Sequence, residues 1–414
     1  MREYFKKSNI ICAIFICFLL ILTLQSFFSF RNSNLASSES NLKLSVLEPD
    51  YWPTSGWKTS LPETQDMSSK KLQAMENYID NQNLGPYIDS LLIIRNGYLV
   101  YESYPSAIYE EDDEHHIYSC TKVFTSALIG IALDEGYITG INNFVIDYFP
   151  SKTFANMDSR KEAITIKHLL TMTAGLEWVD QINFYQMAAS SDGVQYVLDQ
   201  PMESEPGEVW NYNSGASHLL SAILDQETPS GTLNYAEMKI FNPLNITNYS
   251  WNLDSQGIPI GGTLLHLTSR DMAKFGFLYL HNGNWNGTQL IPSSYVTESI
   301  ASFKNVEFDL GYGRGYGYKW WTYRWAHAYT ARGTNEQYIV VIPDLNLVVV
   351  STGNTDFQFI RLLVNYILPS AGFYPNLNSI IIISLSIGSV ALVVVIGFIY
   401  YRVRKKRIIE NTSN

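Results

Sequence analysis

The chain has 414 residues with 28 Lys and Arg against 39 Asp and Glu, a formal net charge of −11. That balance disfavours a nucleic-acid partner, because phosphate backbones are bound by cationic surfaces. Its three cysteines are Cys12, Cys17 and Cys120, the first two within one apolar run, so a disulfide framework is excluded and stability must come from a hydrophobic core.

In chain order, Arg2, Lys6 and Lys7 precede an uncharged apolar stretch over residues 8–30, and a second such stretch over 380–401 is followed by Arg402, Arg404, Lys405, Lys406 and Arg407. Each is long enough to cross a hydrocarbon core of about 30 Å as a helix, and the flanking cations predict cytoplasmic termini at 1–7 and 402–414. The sequence therefore predicts an integral membrane protein with two spans, its body outside the cell. The first stretch exceeds the apolar region of an ordinary signal peptide, which favours a retained signal anchor over a cleaved one. Residues 31–60 are Ser/Asn-rich and read as a stalk.

Leu91–Glu102 places β-forming residues on both sides of Asn96-Gly97, the pattern of a tight hairpin. From Ser119 the sequence SCTKVFTSALIGIALDEGYI is apolar nearly all round as far as Asp134, which predicts a helix buried on every side. Residues from about 140 to 300 are mostly helical in pattern. Strand character returns over 316–323, 327–331 and 337–352, the last broken by a turn at Pro343-Asp344-Leu345-Asn346. Early strands, a helical middle and late strands predict one α+β unit, its sheet built from the two ends of the body, with a helical subdomain inserted.

Common site signatures are absent: no His-Glu-x-x-His, no Gly-x-Ser-x-Gly and no Gly-Lys pair. His115-His116 lacks a third ligand and reads as structural, so no metal or cofactor is expected. Ser-x-x-Lys occurs four times, at Ser40, Ser55, Ser68 and Ser119. Only Ser119 opens a buried helix, where the i, i+3 spacing puts Lys122 on the same face as the hydroxyl and the helix start offers free N–H groups to an oxyanion.

With SCTK at Ser119, ITIKHLLTMTAGLEW from Ile164, PGEVWNYNSG from Pro206, LTSRDMAKFGFLYLHNGNWNG from Leu267, and GYGYKWW before ARGTNEQYIVVIPDLNLVVV, the chain resembles the serine β-lactamase and penicillin-binding-protein-like hydrolases. The likeness is to the branch with class C β-lactamases, esterases and 6-aminohexanoate-dimer hydrolases. It implies a β-lactamase/transpeptidase-like α+β fold over residues 61–370, an antiparallel sheet with flanking helices beside an all-helical subdomain.

By the resemblance Ser119 is the nucleophile, Lys122 the base and Tyr212 a second base or proton relay, while Ser214 stands where the family's Tyr-x-Asn motif has Asn. The third family motif falls on Ala331-Arg332-Gly333, with Ala331 in place of a cation. Arg332 is then a candidate substrate contact, although strand alternation points it away from the face of Ala331. Gly333 allows close approach of substrate, and the Thr334 N–H is the second oxyanion donor. The expected activity is hydrolysis of a small ester, amide or peptide through a Ser119 acyl-enzyme. The alternatives are a catalytically weak protein that binds a cell-surface ligand or peptide, and a β-lactamase or D-Ala carboxypeptidase.

Overall fold

A computed structural model describes residues 49–306, 313–323 and 325–375. Its centre is a seven-stranded antiparallel sheet in the order β2-β1-β12-β11-β10-β9-β8. The strands are β1 (Ile88–Arg95), β2 (Tyr98–Ser103), β8 (Gly313–Tyr316), β9 (Trp321–Tyr323), β10 (Tyr329–Gly333), β11 (Gln337–Ile342) and β12 (Leu347–Gly353). The expected hairpin is present: Asn96 (φ 52°) and Gly97 (φ 84°) both adopt the left-handed region that a two-residue turn with the sheet's own twist requires. Early and late strands meet as the α+β reading predicts, with Leu92 opposite Val350 and Ile93 opposite Val349.

Side-chain alternation divides the interior into two layers. Leu92, Ile94, Ile339, Val341, Val348 and Val350 face the larger core, which takes in the helices Thr121–Asp134, Ser214–Glu227 and Ser269–Leu280. Leu91, Ile93, Val340, Ile342, Leu347 and Val349 face the smaller one, closed by the helix Ser69–Asn81 and by residues 359–368. Gly276 is where the helix Ser269–Leu280 lies on the sheet, since a Cβ there would stand 2.8 Å from both Ile339 Cγ2 and Val348 Cγ1.

The helical middle also holds a small sheet that the periodicity did not reveal: β3 (His115–His116), β4 (Tyr249–Trp251) and β5 (Leu265–Leu267), in the order β3-β5-β4. A short hairpin, β6 (Asn284–Trp285) with β7 (Thr288–Gln289), follows it. Residues 49–60, expected in the stalk, lie against the body. Tyr51 donates from its hydroxyl to Gly97 O at 2.8 Å, and Trp57 donates from Nε1 to Arg270 O at 3.1 Å.

The expected architecture needs correction at its ends. Among the described residues no helix is long and apolar enough to cross a membrane. The apolar helix Thr121–Asp134 has 14 residues, against the roughly 20 that a span needs, and its apolar surface is consumed by the core. Both stretches predicted to span, 8–30 and 380–401, lie outside the described residues. The described residues form the expected α+β unit, and no helix among them supports the predicted membrane spans.

Candidate active site

The nucleophile candidate sits on a tight start. Tyr118 is left-handed (φ 46°), residues Tyr118–Cys120 make a 3₁₀ turn, and the helix Thr121–Asp134 continues from it. Ser119 is half-buried and Lys122 is 1% exposed. Lys122 Nζ donates to Ser119 Oγ at 2.9 Å, to Ser214 Oγ at 3.0 Å and to Gly262 O at 2.6 Å. The i, i+3 spacing thus brings the two side chains together, and Gly262 reaches them because β3 and β5 pair across the middle of the chain.

Tyr212 approaches Lys122 with its ring, the ammonium lying 4.8 Å from the ring centroid. This is a cation–π geometry, made by the ring. Asn213 caps the helix Ser214–Glu227, its Oδ1 accepting from Ala216 N at 2.8 Å. Ser214 is buried against Lys122 and is not among the residues that line the cleft. Its hydroxyl donates to Asp180 Oδ2 at 2.9 Å, and its N–H donates to Asp180 Oδ1 at 2.7 Å.

Strand β10 forms the opposite wall. A Cβ on Gly333 would stand 2.6 Å from Ile117 O and 3.0 Å from Tyr118 Cβ, so only glycine lets this strand pass the residues that precede the nucleophile. Ala331 points into the larger core, whereas Arg332 lines the cleft with its guanidinium 5.7 Å from the Tyr338 ring centroid. Arg332 is therefore the cation on this strand that meets the opening. Thr334 is exposed on the same wall. The cleft, about 490 Å³, is lined by Ser119, Asp180, Tyr212, Trp321, Arg332 and Thr334 among others.

Three groups here were not singled out in the sequence. Asp180 opens the helix Asp180–Ala189, and its Oδ1 also accepts from Trp178 Nε1 at 2.7 Å. Lys319, in the turn between β8 and β9, is left-handed (φ 72°), 2% exposed, and donates to Leu169 O at 2.6 Å. Burial, reinforced by the Lys122 ammonium and opposed by the Asp180 carboxylate, holds its amine well below the usual lysine range. Glu336 is pushed up to about 8 by burial, with the hydrogen bond and charge of Asp356 adding to it and the Phe359 N–H and Arg332 opposing. The lone lysine among aromatics in GYGYKWW was the available signal for Lys319; Asp180 offered none beyond an acid at a helix start.

The histidine pair is structural. His115 Nε2 lies 2.8 Å from the buried Asp89 carboxylate. His116 stacks on Tyr118 at 3.8 Å between centroids, while its Nε2 accepts from Leu264 N at 3.2 Å. Burial, with His266 and His115 nearby, lowers His116 to about 4, so it is neutral at pH 7 and holds the residue before the nucleophile's own position without adding charge.

A beta-lactamase family model matches residues 85–361. The chain belongs to the beta-lactamase family. The resemblance read from the five motifs is thereby borne out. An uncharacterized protein of Alkalihalophilus pseudofirmus is 23% identical over 232 residues, 49% of this chain and 62% of the relative, so the chain spans less than two thirds of that curated relative. Among solved structures, a candidate 6-aminohexanoate-dimer hydrolase of Bacillus anthracis aligns with a TM-score of 0.60 at 22% identity, covering 72% of this chain and 81% of that one. EstCE1, a hydrolase with promiscuous acyltransferase activity, aligns with a TM-score of 0.62 at 15% identity, covering 75% and 98%. At these identities the structural likenesses establish the beta-lactamase family fold.

Proposed function

We propose that this beta-lactamase family member is a serine hydrolase that cleaves a small ester or amide through a Ser119 acyl-enzyme. The observation that carries the reading is the 2.9 Å contact between Lys122 Nζ and Ser119 Oγ in the cleft. Lys122 without one proton keeps two N–H bonds, to Ser214 Oγ and Gly262 O, and turns its lone pair on the Ser119 hydroxyl. Ser119 Oγ then bonds to the substrate carbonyl carbon as its proton passes to Lys122. In this reading Tyr212, whose ring lies 4.8 Å from the same amine, carries that proton to the leaving group. The backbone N–H groups of Ser119 and Thr334 are the candidate oxyanion donors, and water releases the acyl group. Gly333 and Arg332 shape the wall along which the substrate lies.

A fluorophosphonate probe is expected to label the wild-type chain and leave Ser119→Ala unlabelled, with labelling slowed by about 10²-fold or more in Lys122→Met. Equal labelling of wild type and Ser119→Ala overturns the reading. A chromogenic cephalosporin offered beside simple nitrophenyl esters separates the β-lactamase alternative from an esterase. Binding of ligands without turnover of any ester or amide is the outcome that favours a binding protein.

A further inference from the structure

Lys122 is buried, yet among the described residues no carboxylate lies within direct ion-pair reach of it; its three acceptors are two hydroxyls and a carbonyl. An ammonium in that position is costly unless charge of opposite sign is close and fixed. Asp180 supplies such charge one hydroxyl away. The Ser214 hydroxyl has a single hydrogen, which goes to Asp180 Oδ2 at 2.9 Å, so the lone pair facing Lys122 Nζ at 3.0 Å accepts. The carboxylate itself is held by two further donors, Ser214 N and Trp178 Nε1, both at 2.7 Å to Oδ1. Lys122, Ser214 and Asp180 thus form a directed chain from the base to a fixed anion that also borders the cleft.

We propose that Asp180, acting through the Ser214 hydroxyl, is a positioning residue that orients Lys122 and stabilises the ammonium formed when Lys122 takes the Ser119 proton. The proposal rests on the serine-hydrolase reading for its chemistry and deepens it by naming the third member behind nucleophile and base. In the step concerned the Ser119 O–H bond breaks, its proton bonds to Lys122 Nζ, and Ser119 Oγ bonds to the carbonyl carbon. The proton then goes to the leaving group as the bond from the carbonyl carbon to that group breaks. Asp180 and Ser214 gain and lose no atoms.

Among the described residues the other groups around Lys122 are the Cys120 thiol in the 3₁₀ turn before its helix, the Tyr212 ring, and Lys319 from the β8–β9 turn. None supplies negative charge at neutral pH: burial pushes the Cys120 thiol far above its ordinary value, the Tyr212 contact is through its ring, and Lys319 is an amine. Asp180 is left as the compensating charge among the described groups linked to Lys122.

The test uses the full chain with Asp180→Asn, Ser214→Ala and the double variant, each checked for an intact thermal transition. Asp180→Asn keeps the acceptor on one side and the shape but removes the charge, so Lys122 becomes the weaker base. The acid limb of fluorophosphonate labelling against pH is expected to move to lower pH while the plateau rate falls about tenfold. Ser214→Ala is expected to do the same, and the double variant to add less than a further twofold, because both changes cut one chain.

A fall in rate with an unmoved limb, or effects that multiply in the double variant, overturns the proposal. The ¹³Cε resonance of Lys122, assigned by its loss in Lys122→Met, gives a readout that needs no activity. It should titrate about one pH unit lower in Asp180→Asn, tenfold in proton affinity. An unmoved titration overturns the role of Asp180 even where Ser119 labels. A moved titration in a chain that never labels supports the coupling of Asp180 to Lys122 and sinks the hydrolase reading instead.

Discussion

Two buried lysines with opposite surroundings set the chemistry at the residue scale. Lys122 has three acceptors and an anion one hydroxyl away. Lys319 has a carbonyl at 2.6 Å and the Met172 sulfur at 3.4 Å, the two partners a neutral amine can satisfy. In the unfolded chain Lys319 keeps its proton up to the ordinary lysine range, whereas the folded protein loses it well below. Between those limits the unfolded state binds more protons, so stability rises with pH across that window and is lost as pH falls through it. Lys319→Met is expected to flatten this rise by up to about 1.4 kcal/mol per pH unit. Chemical denaturation at a series of pH values from neutral to alkaline measures the slope, and an unchanged slope rules out a neutral Lys319. Ser119 and Lys122 were legible because four residues of one turn carry both groups. Asp180 was not, because it joins them from 34 residues before Ser214 through a contact made only in the folded chain.

At the scale of elements, the site depends on how close β10 runs to the turn before the nucleophile helix. Gly333 has an extended φ of −121° that any residue could adopt, so the demand for glycine is steric. Gly333→Ala sets a methyl 2.6 Å from Ile117 O, and strand or turn must shift. Overpacking of this kind costs roughly 1–3 kcal/mol. The expected result is a thermal midpoint lowered by a few degrees and fluorophosphonate labelling slowed by about tenfold or more, since displacement at the site costs rate out of proportion to stability. A variant that loses stability while keeping the wild-type labelling rate would show that this spacing does not matter to the nucleophile. Arg332 illustrates what a strand sequence leaves open. Alternation separates Ala331 from Arg332, but which of the two faces the cleft depends on the layer the sheet packs against. Here the larger core takes Ala331.

Over the whole molecule, early and late segments share one sheet, and residues 49–60 close against it. Trp57 is half-buried, meets the Phe277 ring edge-on at 5.6 Å between centroids, and donates to Arg270 O. Truncation of a fully buried Trp costs about 3–5 kcal/mol; for this half-buried one, Trp57→Ala is expected to cost about 2 kcal/mol in urea denaturation. A change below about 0.5 kcal/mol would mean that this segment adds nothing to the body. The sequence by itself determined what is local or periodic: the Asn96-Gly97 turn, the buried helix after Ser119, the Ser119/Lys122 pair, and a motif order that places the chain in its family. Such features arise from steric limits on a few consecutive residues and from repeats of 2 and 3.6 along the chain. Only the tertiary structure decided that Asp180 stands behind Ser214, that Lys319 is buried beside them, that Arg332 rather than Ala331 faces the cleft, and that Gly262 reaches Lys122. Each of these joins residues distant in sequence, and their pairing is selected by packing and by the need to satisfy every buried polar group at once.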